Sequence, residues 1–113
     1  MLLKHHVNDT IDTVNLSGRL MMADANEVRE KLKQIIEQGS GKLLIDLNGL
    51  TFIDSSGCSV LISAFKAIRT RQGRLVLCSL SPEIQSLIEL TRLNEIFEIF
   101  AEKEAALSAL QAG

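Results

Sequence analysis

The chain has 113 residues, the size of one domain, with 46% hydrophobic and 23% charged residues, so it has the makings of a packed core. Trp and Tyr are absent and only 4% of residues are aromatic, which makes that core aliphatic. The formal net charge of −2 excludes the basic footprint of a nucleic-acid or anionic-membrane binder.

Taken in chain order, Leu2–Val7 and Ile11–Leu16 are short β-prone runs joined by Asn8-Asp9-Thr10. Asn and Asp hydrogen-bond locally and tolerate left-handed backbone, so this reads as an antiparallel hairpin, ended by Ser17-Gly18. The first helix is expected to start at Asp24, which can cap it, with Glu27 completing a capping-box-like pattern. Val28, Leu32, Ile35 and Ile36 recur at helical spacing, and Gly39 or Gly41 closes the helix. Lys42–Leu47 is a nearly continuous apolar run flanked by glycines, as in a strand buried on both faces. The apolar segment Leu50-Thr51-Phe52-Ile53 leads into Asp54-Ser55-Ser56-Gly57. From Gly57 the period becomes helical, with Cys58, Leu61, Ile62, Phe65 and Ile68 on one face and Gln72-Gly73 as the stop. Arg74–Ser79 is the next strand, and Ser81-Pro82-Glu83 starts a helix that buries Ile84, Leu87 and Ile88. Ile96–Phe100 is the last strand and Glu102–Leu110 the last helix.

The order ββαβαβαβα predicts an α/β fold with a mostly parallel mixed sheet, an N-terminal antiparallel hairpin and about four helices. Without repeats, low-complexity stretches or Pro/Gly-rich linkers, residues 1–113 read as a single domain. No apolar run approaches the roughly 18 residues of a membrane span. Met1–His6 is too short and polar for a signal peptide. Cys58 and Cys78 sit in apolar contexts and read as reduced, buried thiols, so the expected location is the cytoplasm.

Asp54-Ser55-Ser56-Gly57 stands where an apolar segment turns into a helix. Asp and Ser are ordinary helix caps, because their oxygens accept orphan N–H groups. Two hydroxyls and a carboxylate exceed what one cap requires, and a helix N-terminus receives phosphate well. Capping and phosphorylation both remain open on spacing alone, and chemistry allows either serine.

Enzymatic readings fare worse. A nucleophile elbow needs a glycine where this chain has Ile53 or Asp54, and the only histidines are His5 and His6 on the first strand. Gly39-Ser40-Gly41-Lys42 is no phosphate-binding loop, since Ile36 occupies the first glycine position and the segment precedes a strand. His5 and His6 lack further ligands for a metal, so no metal or cofactor is expected. Arg69, Arg71 and Arg74 cluster at a helix end, where cations complement the dipole. Met21-Met22 reads either as a core plug or as an adaptable contact surface.

Leu50-Thr51-Phe52-Ile53-Asp54-Ser55-Ser56-Gly57 followed by an amphipathic helix resembles the signature of STAS domains, specifically the bacterial anti-sigma factor antagonists. The likeness extends to the hairpin ending in Gly18, the strands Leu43–Leu47 and Arg74–Ser79, and the Ser81-Pro82-Glu83 helix start. It implies a non-enzymatic partner switch. The unphosphorylated antagonist binds an anti-sigma factor that is also an ATP-dependent serine kinase, and so frees that protein's other target. The kinase phosphorylates the serine after the aspartate, here Ser55 with Ser56 as second choice, and a metal-dependent serine phosphatase reverses it. Asp54 would position the acceptor, and Ser56 and Gly57 would shape the docking loop. Other STAS domains serve as structural subunits of larger assemblies or lipid transporters, or as small-molecule sensors. This chain departs from the usual Gly-x-Leu-Asp pattern, reading Gly18-Arg19-Leu20-Met21 with Asp24 as the next acid. That makes Met21, Met22 and Asp24 candidates for partner choice. The second glycine usual after the motif is Ser59.

Overall fold

The structure, a computed structural model, describes residues 1–112. The chain runs β1 (Leu2–Asn8), β2 (Ile11–Leu20), α1 (Met22–Gln38), β3 (Lys42–Asp46), β4 (Leu50–Ile53), α2 (Ser55–Thr70) and β5 (Arg74–Cys78). It continues through α3 (Pro82–Leu90), a 3-10 turn (Leu93–Glu95), β6 (Glu98–Phe100) and α4 (Lys103–Ala112). The sheet order is β1-β2-β3-β5-β6, with β4 paired to β2; only β1 and β2 are antiparallel.

The predicted class, the mixed sheet and the four helices are all present. So is the hairpin, its turn made by Asp9 in left-handed backbone (φ 57°). Residues of β3 and β5 alternate between two cores, as strands covered on both faces must. Leu43, Ile45, Leu75 and Leu77 join the larger core with α1, α2 and α3. Leu44, Val76 and Cys78 join Ile11 under Ala106 and Leu110 of α4.

Four expectations are corrected. The first concerns Gly18, which does not end β2. Its φ of +92° lets the strand turn towards a new partner: Asp12–Asn15 pairs with β3, and Gly18–Leu20 pairs with β4. The second is β4 itself, a strand of only four residues that brings the order to ββαββαβαβα. Its register slips opposite Gly18 and Arg19, so Leu50 and Ile53 are both buried while Thr51 and Phe52 face out.

The third correction moves the start of α1 to Met22, two residues before Asp24. Its N-cap, Met21, makes no side-chain cap. Asp24 sits inside the first turn, and Glu27 pairs with Lys31 at 3.1 Å instead of closing a capping box. The fourth concerns α2, which starts at Ser55 and buries Gly57, Val60, Leu61, Ala64 and Ile68. Cys58, Ile62 and Phe65 therefore flank its buried stripe, with the Phe65 ring meeting Phe97 edge-on at 5.4 Å.

Smaller shifts affect the C-terminal part. The last strand is Glu98–Phe100, because the 3-10 turn takes Leu93–Glu95 and leaves Ile96 outside the ladder. Arg74 is no simple dipole complement. Its Nε and Nη2 donate to the two Glu98 carboxylate oxygens at 2.7 and 2.6 Å, and Nη1 donates to the Ala109 carbonyl at 2.9 Å. One guanidinium thus ties β5, β6 and α4 together. The pairing pushes the Arg74 pKa up and holds the Glu98 carboxyl below the usual glutamate value.

Candidate functional site

Asp54 is the centre of the site. Its Oδ1 accepts the Gly57 backbone N–H at 2.8 Å, which caps α2. Its Oδ2 accepts the Met22 backbone N–H at 3.0 Å, which satisfies the start of α1. A single carboxylate thereby completes two helix N-termini, reaching back 32 residues in sequence to Met22. Both donors sit at positive dipole ends, where an anion is stabilised. The Asp54 backbone N–H donates to the Leu20 carbonyl at 3.2 Å, so β4 still follows β2 up to the cap.

Gly57 is required by space. A Cβ there would meet the Leu20 carbonyl oxygen and Ile53 Cγ1, both at 2.6 Å. With no side chain, the first turn of α2 seats directly on the ends of β2 and β4. That seating presents the two serines differently. Ser55 is exposed at the first helical position, whereas Ser56 is half-buried. The Ser55 carbonyl accepts the Ser59 hydroxyl at 3.1 Å, so the serine at the usual second-glycine position bonds back onto its own helix.

Met22 is 74% exposed, which decides against a core plug, and Met21 is half-buried beside it. Through the Asp54 bond, the start of α1 is brought to the serine motif. Asp24 lines a separate hollow with Met1, Leu3 and Lys31. Sequence reasoning missed the outer face of the β2–β4 pair, where the Arg19 guanidinium stands 5.2 Å from the centre of the Phe52 ring. No local signal marks this pair, because its two residues lie 33 positions apart (52 − 19).

The chemistry on offer is recognition. His5 bonds Asp12 at 2.8 Å and lies level with Val14, six residues along β2 from Leu20, or roughly 20 Å from the strand end that leads to Ser55. His5 is therefore out of reach of the serines as a general base. Burial, and then the Asp54 charge, push the Cys58 thiol pKa up, while burial pushes that of Cys78 to about 11. Both thiols are free, and both stay protonated at neutral pH. Among the described residues no cluster of three or more His, Cys, Asp or Glu could hold a metal, and no helix is long and apolar enough to cross a membrane. A hollow of about 450 Å³ between α1 and α2 is lined by residues such as Arg29, Lys33, Ser63 and Arg71, and none of Asp54–Gly57 borders it.

Residues 3–106 match the family model of the STAS domain. The anti-sigma-B factor antagonist of Bacillus subtilis (strain 168) is 33% identical over 105 residues, covering 93% of this chain and 94% of that protein. An anti-sigma factor antagonist from Mycobacterium paratuberculosis has the same fold, with a TM-score of 0.89 at 22% identity over 97% of this chain and 93% of that one. The Bacillus cell fate determinant SpoIIAA in its phosphorylated form superposes with a TM-score of 0.73 at 21% identity, over 96% of this chain and 99% of that one. The α/β fold described above agrees with these likenesses. The chain belongs to the STAS domain family, among the anti-sigma factor antagonists, which are regulators and not enzymes.

Proposed function

We propose that this protein is a partner-switching antagonist whose docking surface is the Asp54–Gly57 turn with the adjoining Met21 and Met22, and whose switch is phosphorylation of Ser55. The observation that carries the reading is the exposure of Ser55 directly after the doubly capping Asp54, while Ser56 is half-buried. The partner is an anti-sigma factor with ATP-dependent serine kinase activity, and a metal-dependent serine phosphatase restores the binding form. An ATP-consuming kinase places this cycle in the cytoplasm. The names of the relatives, including one solved in a phosphorylated form, support the same assignment.

The physics of the switch is local. Phosphorylation adds about −1.5 to −2 charges and three acceptor oxygens. Burying an unpaired dianion in an interface costs several kcal/mol. A penalty of ~4 kcal/mol already weakens binding about a thousandfold, so the domain need not change shape. Asp24 belongs to the rim of the docking face at most, since the hollow it lines is formed with β1.

Phosphosite mapping of the protein from its own cells, followed by affinity measurements with the kinase it meets there, tests this reading. Ser55→Ala binds constitutively and Ser55→Asp binds at least a hundredfold more weakly, with both variants as stable as the parent. Equal affinity of the two variants sinks the switch.

A further inference from the structure

Arg19 is exposed and takes part in none of the ion pairs among the described residues. Its guanidinium stands 5.2 Å from the centre of the Phe52 ring. The two residues are register partners on parallel β2 and β4, strands about 4.8 Å apart. The slip in register turns Phe52 outward, so the arginine lies on the solvent side of the pair. Ser55 follows Phe52 by three residues, at most about 10 Å by backbone reach. An extended arginine and a phosphoserine side chain close that interval between them.

A phosphate on Ser55 stands next to the Asp54 carboxylate, both of whose oxygens already accept backbone N–H groups. Asp54 cannot move away without uncapping two helices. The N–H groups at the start of α2 favour an anion there, and a cation that is free to move adds to them in offsetting the like charges. Exposed cation–π contacts are weak, whereas a guanidinium grips a phosphate dianion through two parallel charge-assisted hydrogen bonds.

We propose that Arg19 is the intramolecular counter-ion of phosphorylated Ser55, leaving the Phe52 ring to take up the phosphate. The proposal rests on Ser55 being the phosphoacceptor. It means that phosphorylation alters the docking face twice: a dianion arrives, and the one cation of the Arg19–Phe52 pair is withdrawn to it. A partner that engages the unmodified form meets a free guanidinium lying on an aromatic ring, and loses both features together. Such a partner presents a carboxylate beside an apolar contact.

The test installs phosphoserine at position 55 of the full chain by codon suppression, so no kinase is needed. The second pKa of the phosphate is followed by phosphorus NMR in the parent, in R19Q and in R69Q. Arg69 is the matched control, because it also sits over an aromatic ring (Phe65, 5.5 Å) and removes the same charge. It lies fourteen residues along α2 from Ser55, about 21 Å away and beyond the roughly 10 Å screening length. The expected result is a rise of roughly half a unit in R19Q and none in R69Q, with the Arg19 Nε–H signal shifting on phosphorylation. Equal pKa values in all three proteins, or an equal rise in both variants, overturn the pairing. An unphosphorylated Ser55 in cells would instead defeat the switch and leave this result standing.

Discussion

The two ends of the molecule use their charged groups in opposite ways. Where β5, β6 and α4 meet, Arg74 and Glu98 neutralise one another and bind the flank together, with little left to offer a visitor. At the serine end a lone carboxylate, Asp54, does the holding through backbone N–H donors, and no side-chain cation is spent on it. Arg19, Met22 and Phe52 are left exposed beside it. Structural work done by backbone leaves side chains available for recognition; structural work done by an ion pair consumes them.

If that contrast holds, the serine end is the more fragile one. The largest effect is expected at Gly57, where even Gly57→Ala places a methyl 2.6 Å from both the Leu20 carbonyl oxygen and Ile53 Cγ1. The overlap forces backbone to move and costs about 2–3 kcal/mol in urea unfolding. A loss below about 0.5 kcal/mol would show that α2 does not need this close seating. Next, Asp54→Ala removes two caps at about 1 kcal/mol each, so a loss of about 2 kcal/mol is expected, with Asp54→Asn in between. If alanine costs no more than one ordinary cap, the Met22 bond is not contributing. The smallest effect is at the opposite flank, where the exposed Arg74–Glu98 pair is worth no more than about 1 kcal/mol and weakens with salt. Because Glu98 titrates below its unfolded value, this contribution is intact above the ordinary glutamate range and is lost as pH falls through the lowered pKa. Comparing the acid limb of the stability curve in Glu98→Gln with the parent checks the sign. A parent that loses no more stability on acidification than the variant contradicts it.

Much of this was legible in the sequence for a simple reason. Val28, Leu32 and Ile36, or Ile84 and Ile88, announce a buried stripe by spacing, and Lys42–Leu47 announces a doubly covered strand by apolar continuity. What escaped was non-local. Asp24 and Glu27 look like a local cap, but the oxygen that serves α1 comes from Asp54 on another element, and nothing near Met22 encodes it. A strand as short as Leu50–Ile53 shows no period of its own; it exists because β2 bends at Gly18 and offers it an edge. Ser55 and Ser56 are chemically the same, and only the seating of α2 on Gly57 exposes one more than the other. Arg19 meets Phe52 across strands joined by 29 residues of chain (21–49), which no local pattern reveals.

The second, smaller core under α4 bears on how the protein comes into being. Ile11, Leu44, Val76 and Cys78 all belong to strands made before their cover, Ala106 and Leu110 of α4. At about 5–20 residues per second, the interval between Cys78 and Leu110 leaves one side of the sheet wet for seconds while the ribosome is still at work. The opposite side draws on α1, α2 and α3 and ends at Phe97, so all its material precedes α4. A nascent chain can therefore display the Asp54–Gly57 turn before its back is closed, and a chaperone seeking exposed apolar surface would find it on the face away from Ser55.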